Sequence, residues 1–301
     1  MYGFQVVRII TPNVRQLCLV RDYENEIFNL KINMMRNENM NEQQNQQSCQ
    51  TSVMVSAVDN LKLLLSQPDE SVDLIYCDIL YGTGKDFMDY KDLYPMREII
   101  EEHYLPRIKE MHRVLKSTGS IYLQMDYRII HWVRCMMDDI FGYGNFRNEI
   151  IWCYTSPSGA KNNFPKKHDN IVFYSKSKNY TFNSDSVLVP YKKSNSSSGK
   201  TSLIGHNTDN RKGKIPESWW CDIADLGKIH NQSVGYKTQK PLKLLERIIK
   251  ASSNEGDTVA DYYLGSGTTA VVCKELNRNF IGCDINPKAI EITNARLDAV
   301  S

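Results

Sequence analysis

Two stretches of this chain hold residues whose types and spacing could do chemistry. The first, "IYCDILYGTGKDF" (75–87), ends an apolar run in Asp78, Ile79, Leu80 and Tyr81, followed by Gly82-Thr83-Gly84. A strand that is only part of a core needs no such ending. A site at the carboxyl end of a parallel strand does, because there a carboxylate and a ring can face a ligand from a fixed backbone. The second stretch, "VADYYLGSGTTAVVCKEL" (259–276), reads as strand, Gly265-Ser266-Gly267, then helix. Glycine allows left-handed backbone and close approach, and a helix start offers unpaired N–H groups to a polar ligand. The next strand, "FIGCD", ends in Asp284, about 20 residues past the first glycine, where an acid bonds ribose hydroxyls in nucleotide-binding sheets. A G-x-G by itself also serves as a tight packing turn. Ala270 stands where the dinucleotide fingerprint has its third small residue, so these residues alone leave a nicotinamide site open.

The elements that must position these residues follow from periodicity. Helical spacing predicts helices over 57–67, 94–115, 128–142, 241–252, 264–276 and 286–297, with Pro287 at the start of the last. Pro106 is expected to kink or split the second. Short apolar runs predict strands over 71–78, 119–126, 146–154, 168–176, 257–263 and 278–284. Alternating strands and helices argue for an open parallel sheet with helices on both faces. Residues 1–35 alternate apolar and polar, as a small strand pair or a loosely attached arm would, and "NENMNEQQNQQSCQ" (37–50) reads as a polar linker. Residues 177–235 have few periodic apolar positions and read as an irregular insert.

The 301 residues suffice for a sizeable core. No apolar run approaches the ~20 residues of a membrane span, and the first residues lack an export signal, so a cytoplasmic protein without a membrane partner is expected. The eight cysteines include no C-x-x-C pair, which favours reduced, mostly buried thiols over a metal site. The net charge of +2 hides an asymmetry. Residues 155–235 hold twelve Lys/Arg and six Asp/Glu, a local charge of +6, so the rest of the chain carries −4.

Taken together, the motifs resemble those of the DNA amino-methyltransferases, which act on adenine N6 or cytosine N4. That family has a strand ending in D-P-P-Y or S-P-P-Y and another in D-P-F-x-G-S-G-T-T. This chain has Asp78-Ile79-Leu80-Tyr81 and Asp261-Tyr262-Tyr263-Leu264-Gly265-Ser266-Gly267-Thr268-Thr269. "KTQKPLKLLERII" (237–249) resembles the family's T-Q-K-P element. The order, with the pocket motif first, then an insert, then the cofactor motifs, is that of the circularly permuted β class, which includes type II and type III modification methylases. The resemblance implies a class I S-adenosylmethionine-dependent methyltransferase sheet, Rossmann-like and seven-stranded. It divides the chain into an extension and linker (1–50), a catalytic half (51–154), a strand loop with a basic target-recognition insert (155–235) and a cofactor half (236–301).

The resemblance also implies roles. An exocyclic amino nitrogen is a poor nucleophile, because its lone pair is delocalised into the ring. Acceptors must hold its N–H groups as it attacks, and these roles fall on the Asp78 carboxylate and the Ile79 carbonyl. The base leaves the stack, and Tyr81 stacks on it. S-adenosylmethionine is assigned to Asp78, Thr238, Gln239, Lys240, Pro241, Asp261, Tyr263, Gly265, Ser266, Gly267, Thr268, Thr269 and Asp284, with no metal. Asp126 is a further candidate for shaping that pocket. Double-stranded DNA is assigned to Lys161, Phe164, Lys166, Lys167, Lys192, Lys193, Arg211 and Lys212, with Asn207, Asn210 and Arg211 as readers of base edges. Trp219 and Trp220 are read as anchors of the insert, and His103, His112 and His131 as structural. A homodimer and a restriction endonuclease subunit are further partners that such a protein admits.

Two departures matter. Both prolines of D-P-P-Y are replaced, which adds N–H groups and is expected to loosen the loop. Tyr262 replaces the Pro of D-P-F. An active enzyme is favoured over a DNA-binding protein that has lost activity, because Asp78, Tyr81, Gly265, Gly267 and Asp284 remain together. Asp rather than Ser at the head of the pocket motif favours adenine over cytosine.

Overall fold

A computed structural model describes residues 51–86, 91–154, 159–190, 213–228, 233–236 and 238–300. The N-terminal extension and the candidates Lys192, Lys193, Asn207, Asn210, Arg211 and Lys212 lie outside them. The strands are β1 (Val53–Ala57), β2 (Val72–Asp78), β3 (Leu115–Met125), β4 (Phe146–Cys153), β5 (His168–Ser175), β6 (Trp219–Trp220), β7 (Thr258–Asp261) and β8 (Asn279–Asp284). The helices are α1 (Asn60–Ser66), α2 (Arg97–Val114), α3 (Ile130–Phe141), α4 (Leu242–Ser252), α5 (Thr268–Glu275) and α6 (Pro287–Asp298).

All eight strands form one sheet in the order β1-β8-β7-β2-β3-β5-β4-β6. Alternate residues of one strand feed opposite cores, as the pleat requires. Ile75 and Cys77 of β2 pack with Leu64, Ile100, Ile108 and Val133 from α1–α3. Leu74 and Tyr76 pack on the other face with Leu244, Ile248, Val272 and Leu297 from α4–α6. A sheet buried on both faces explains why β2 reads as a nearly continuous apolar run.

Three expectations are corrected. The sheet is mixed rather than wholly parallel: β5 runs antiparallel to both β3 and β4. The reason is topological, since no helix separates β4 from β5 and a parallel return needs a crossover. Secondly, the described residues hold eight strands rather than seven, because Trp219 and Trp220 of the insert pair in parallel with Ile151 and Trp152. Trp220 is buried there and anchors the insert, whereas Trp219 is 60% exposed. Thirdly, Pro106 does not split α2. Ile100, Tyr104, Ile108 and Met111 are buried along it, and that packing outweighs one missing donor. Of the cysteines within the described residues, Cys77, Cys273 and Cys283 are buried, but Cys135 and Cys221 are exposed, and all six are free. Among the described residues no helix is long and apolar enough to cross a membrane.

Candidate active site

β2 connects onward to β3 on one side, and β7 to β8 on the other, so chain direction diverges between β2 and β7. Crevices of this kind, at strand carboxyl ends, are where open α/β sheets bind ligands. A cavity of about 620 Å³ opens there, lined by Asp78, Tyr81, Lys240, Asp261, Gly265 and Asp284 among others, a volume ordinary for small-molecule sites.

One corner is built by local backbone. Gly265 (φ +53°) and Gly267 (φ +75°) are both left-handed. A Cβ on Gly267 would lie 2.3 Å from Thr293 Oγ1, so this glycine allows α5 to pack on α6. The Gly265 N–H donates to Asp284 Oδ2 at 2.8 Å, tying the turn to the end of β8. The Asp261 carboxylate accepts from Thr269 Oγ1 at 2.6 Å and from the Tyr263 N–H at 3.0 Å. Burial pushes Asp261 up to about 7, against these two donors. Asp284 is likewise raised by burial, opposed by backbone N–H groups of Asn286, Gly265 and Ile285. A buried acid, an open turn and a strand-end acid in one cavity fit a cofactor with a positive centre and a ribose.

The other corner is built by long-range contacts. Lys240 Nζ donates to Asp78 Oδ2 at 2.5 Å across the cavity. Tyr81 Oη lies 2.9 Å from Asp78 Oδ1 and 2.7 Å from Asp169 Oδ2. Asp169, buried at the start of β5, also accepts from Gln124 Nε2 at 2.9 Å and from Tyr154 Oη at 3.1 Å. Tyr76 donates to Gln124 Oε1 at 2.7 Å. Burial raises Asp78; Lys240 opposes the shift and the Asp169 charge adds to it. Burial disfavours the Lys240 ammonium, but Asp78 and Asp169 more than offset this, and its affinity for the proton is raised. Burial, Asp78 and Asp169 all hold the Tyr81 proton in place.

The missing prolines do not leave the 79–84 loop loose. The Ile79 N–H, a donor that Pro would lack, reaches Gln124 O at 3.1 Å. Tyr104 Oη donates to Leu80 O at 2.9 Å. The Asp92 carboxylate receives the Gly82 N–H at 3.1 Å and the Thr83 N–H at 2.7 Å. Hydrogen bonds replace the dihedral restraint of proline.

The structure brings Asp78, Ile79, Tyr81, Thr238, Lys240, Asp261, Tyr263, Gly265, Ser266, Thr268, Thr269 and Asp284 to one cavity. Gln239 and Pro241 lie behind it: Gln239 accepts the Val234 N–H at 2.9 Å, and Pro241 caps α4. Asp126 does not line the cavity, because its carboxylate is held by Arg128. Phe164 is 95% exposed, and Lys161, Lys166 and Lys167 lie on the same exposed loop. Lys166 sits 4.4 Å from the Tyr127 ring centroid.

Sequence reasoning missed Asp169, Gln124 and Tyr154. It also missed Asp59, Asn60, His103 and Arg107, which extend the cavity wall towards α1 and α2. Arg107 donates to Asn60 Oδ1 at 2.6 Å and to Asp59 Oδ2 at 3.1 Å. His103, lowered to about 4 by burial and by Arg107, lies 3.2 Å from Tyr263 Oη. Asp59, placed before an apolar helix, is the only one of these with a local signal: it caps α1.

Comparison with known proteins agrees with this geometry. The profile of a DNA methylase family matches residues 72–295. Type II methyltransferase M.HpaI of Haemophilus parainfluenzae is 35% identical over 240 residues, 79% of this chain and 72% of that protein. DNA adenine methyltransferase YhdJ of Escherichia coli (strain K12) is 34% identical over 81% of this chain and 82% of its own length. Among solved structures, the M1.HpyAVI–SAM complex superposes with a TM-score of 0.52 at 19% identity, covering 81% of this chain and all 100% of that one. PvuII DNA methyltransferase (cytosine-N4-specific) does so with a TM-score of 0.57 at 17% identity, covering 82% and 93%. The fold is that of the class I methyltransferases. The chain belongs to the N6/N4 DNA methylase family.

Proposed function

We propose that this protein transfers a methyl group from S-adenosylmethionine to the exocyclic N6 of adenine in specific double-stranded DNA. The observation that carries this reading is the Asp78 carboxylate, fixed at the mouth of β2 in the same cavity as the Gly265 turn. When bound, the cofactor supplies an electrophilic methyl group on a sulfonium. Asp261, Thr269 and the Gly265–Thr268 turn would hold its polar groups, and Asp284 would accept from its ribose hydroxyls. Asp78 accepts an N–H of the target amino group, and the Ile79 carbonyl accepts the second, so the nitrogen turns its lone pair towards the methyl. Alignment of the two reacting atoms supplies much of the rate. The Tyr81 ring, whose hydroxyl is anchored at both ends, offers a stacking face, a contact worth about 1–3 kcal/mol. Lys161, Lys166 and Lys167 meet phosphates.

Adenine is favoured over cytosine by Asp rather than Ser at position 78 and by the likeness to a relative named as an adenine enzyme. The test is incubation with unmethylated DNA and tritiated S-adenosylmethionine, digestion to nucleosides, and identification of the labelled base. Label in N6-methyladenine that disappears in Asp78→Ala is expected. Label in N4-methylcytosine overturns the choice of base and leaves the site intact.

A further inference from the structure

Asp78, Tyr81 and Asp169 place three oxygens in a row, with contacts of 2.9 and 2.7 Å. Two contacts need two protons, and Tyr81 brings one. With both acids ionised, one contact sets lone pair against lone pair at hydrogen-bond distance. A second proton makes both contacts hydrogen bonds. The oxygens outside the row already have donors, Lys240 on Asp78 Oδ2 and Tyr154 on Asp169 Oδ1, and Gln124 donates to the Asp169 Oδ2 that meets Tyr81. The added proton therefore belongs between the acids and the tyrosine. Asp169 is buried, so bulk water does not compete for this place.

The methyl-transfer reaction has one proton to dispose of. We propose that Asp78, Tyr81 and Asp169 act as a single proton acceptor, with the proton shed by the amino nitrogen entering at Asp78 and shared along the row through Tyr81 to Asp169. The nitrogen lone pair forms the N–C bond as the methyl–sulfur bond breaks, that electron pair staying on sulfur. The nitrogen, now positive, loses a proton to Asp78 Oδ1 and keeps the N–H electron pair. Asp78 passes a proton to Tyr81 Oη, and the original Tyr81 proton moves to Asp169 Oδ2. One proton is taken up and nothing is oxidised or reduced. The inference rests on methyl transfer at this site, and it applies equally to an adenine or a cytosine amino group.

The test uses the full chain in single-turnover methylation with saturating tritiated S-adenosylmethionine and DNA, across pH 5–9. The wild-type rate is expected to rise with pH to a plateau as the trio becomes free to accept. Asp169→Asn keeps an acceptor oxygen for Tyr81 but cannot hold a proton. Its plateau is expected to fall about 100-fold or more, the usual scale for a lost proton-transfer group. Its acid limb is expected to move to lower pH, because burial still raises Asp78 but the Asp169 charge that adds to that shift is gone. Cofactor affinity by calorimetry stays within about 3-fold and reports an intact fold. Tyr81→Phe is expected to lose as much, and the double variant no more than either single one, as for groups acting as a unit. An Asp169→Asn enzyme with an unchanged plateau and an unmoved limb overturns the relay and leaves the methyltransferase reading standing. Should that variant fail to bind cofactor, Tyr81→Phe decides: an unchanged plateau there overturns the relay. A wild type that labels no base overturns the reading of the site and the relay together.

Discussion

The two corners of the cavity are made differently. The Gly265 corner is local. Residues 261–269 are near neighbours in the chain, and their bonds, such as Thr269 to Asp261, span eight positions. The Asp78 corner is assembled from afar, with Lys240 meeting Asp78 across 162 positions and Tyr81 meeting Asp169 across 88. A local turn holds its shape by backbone geometry and tolerates distant change. A long-range cluster holds its shape only while the sheet is in register, and removing a member takes a partner from another buried group. On the proposed function, chemistry that depends on the placement of charge falls to the second kind of corner and binding of a cofactor to the first.

This contrast can be broken by substitution. Asp78→Ala should have the largest effect, lowering single-turnover methylation about 1,000-fold or more, within the range for loss of an acid–base group, while equilibrium dialysis still shows cofactor bound. Cofactor binding lost in parallel would mean that the corners are one unit. Lys240→Met leaves the Asp78 carboxylate without its cationic partner. Removing one member of a buried pair costs about 3–5 kcal/mol, and the urea midpoint at pH 8 should fall accordingly. The loss should shrink in acid, where Asp78 is neutral, and the acid limb of activity should move to higher pH.

Asp261 sharpens the contrast through pH. Its folded value is about 7, against about 4 in an unfolded chain, so folding disfavours its ionised form. Stability should decline as pH rises from about 4 to about 7 and level off above that. Asp261→Asn should flatten this decline in chemical-denaturation curves, and an unchanged slope would contradict the assignment. A cationic ligand beside Asp261 favours its ionised form. Binding of S-adenosylmethionine near pH 6.5 should therefore release protons, measurable by calorimetry in buffers of different ionisation enthalpy.

Gly267→Ala tests the local corner alone. The left-handed angle and the Thr293 contact make it an overpacking change, expected to cost about 1–3 kcal/mol in denaturation, with pH dependence of activity unmoved. Phe164→Ala should be the mildest. The side chain is almost wholly exposed, so the melting temperature should not change, and DNA affinity should weaken a few-fold. An unaltered affinity removes Phe164 from the DNA surface.

Much of this was legible in the chain, and the reason lies in range. Alternating apolar runs and helical periods marked β2, β3, β4, β5, β7, β8 and the six helices of the described residues, because both patterns are set by residues within a turn or a pleat of each other. The glycine turn was legible for the same reason. So were Asp78 and Asp284, each ending an apolar run, and their coincidence in one cavity follows from β2 and β8, parallel with β7 between them, sharing a carboxyl edge. What the sequence could not disclose was the direction of β5. Running antiparallel between β3 and β4, it turns its first residues towards the edge where the parallel strands end. Only that reversal puts Asp169 beside Tyr81 and within reach of Gln124. In the sequence Asp169 is one acid in a basic segment, with nothing local to distinguish it. Residue type and spacing determined that this chain would hold a nucleotide-like ligand next to a carboxylate. The tertiary structure decided which second carboxylate would share the proton, because strand direction depends on how the whole sheet pairs.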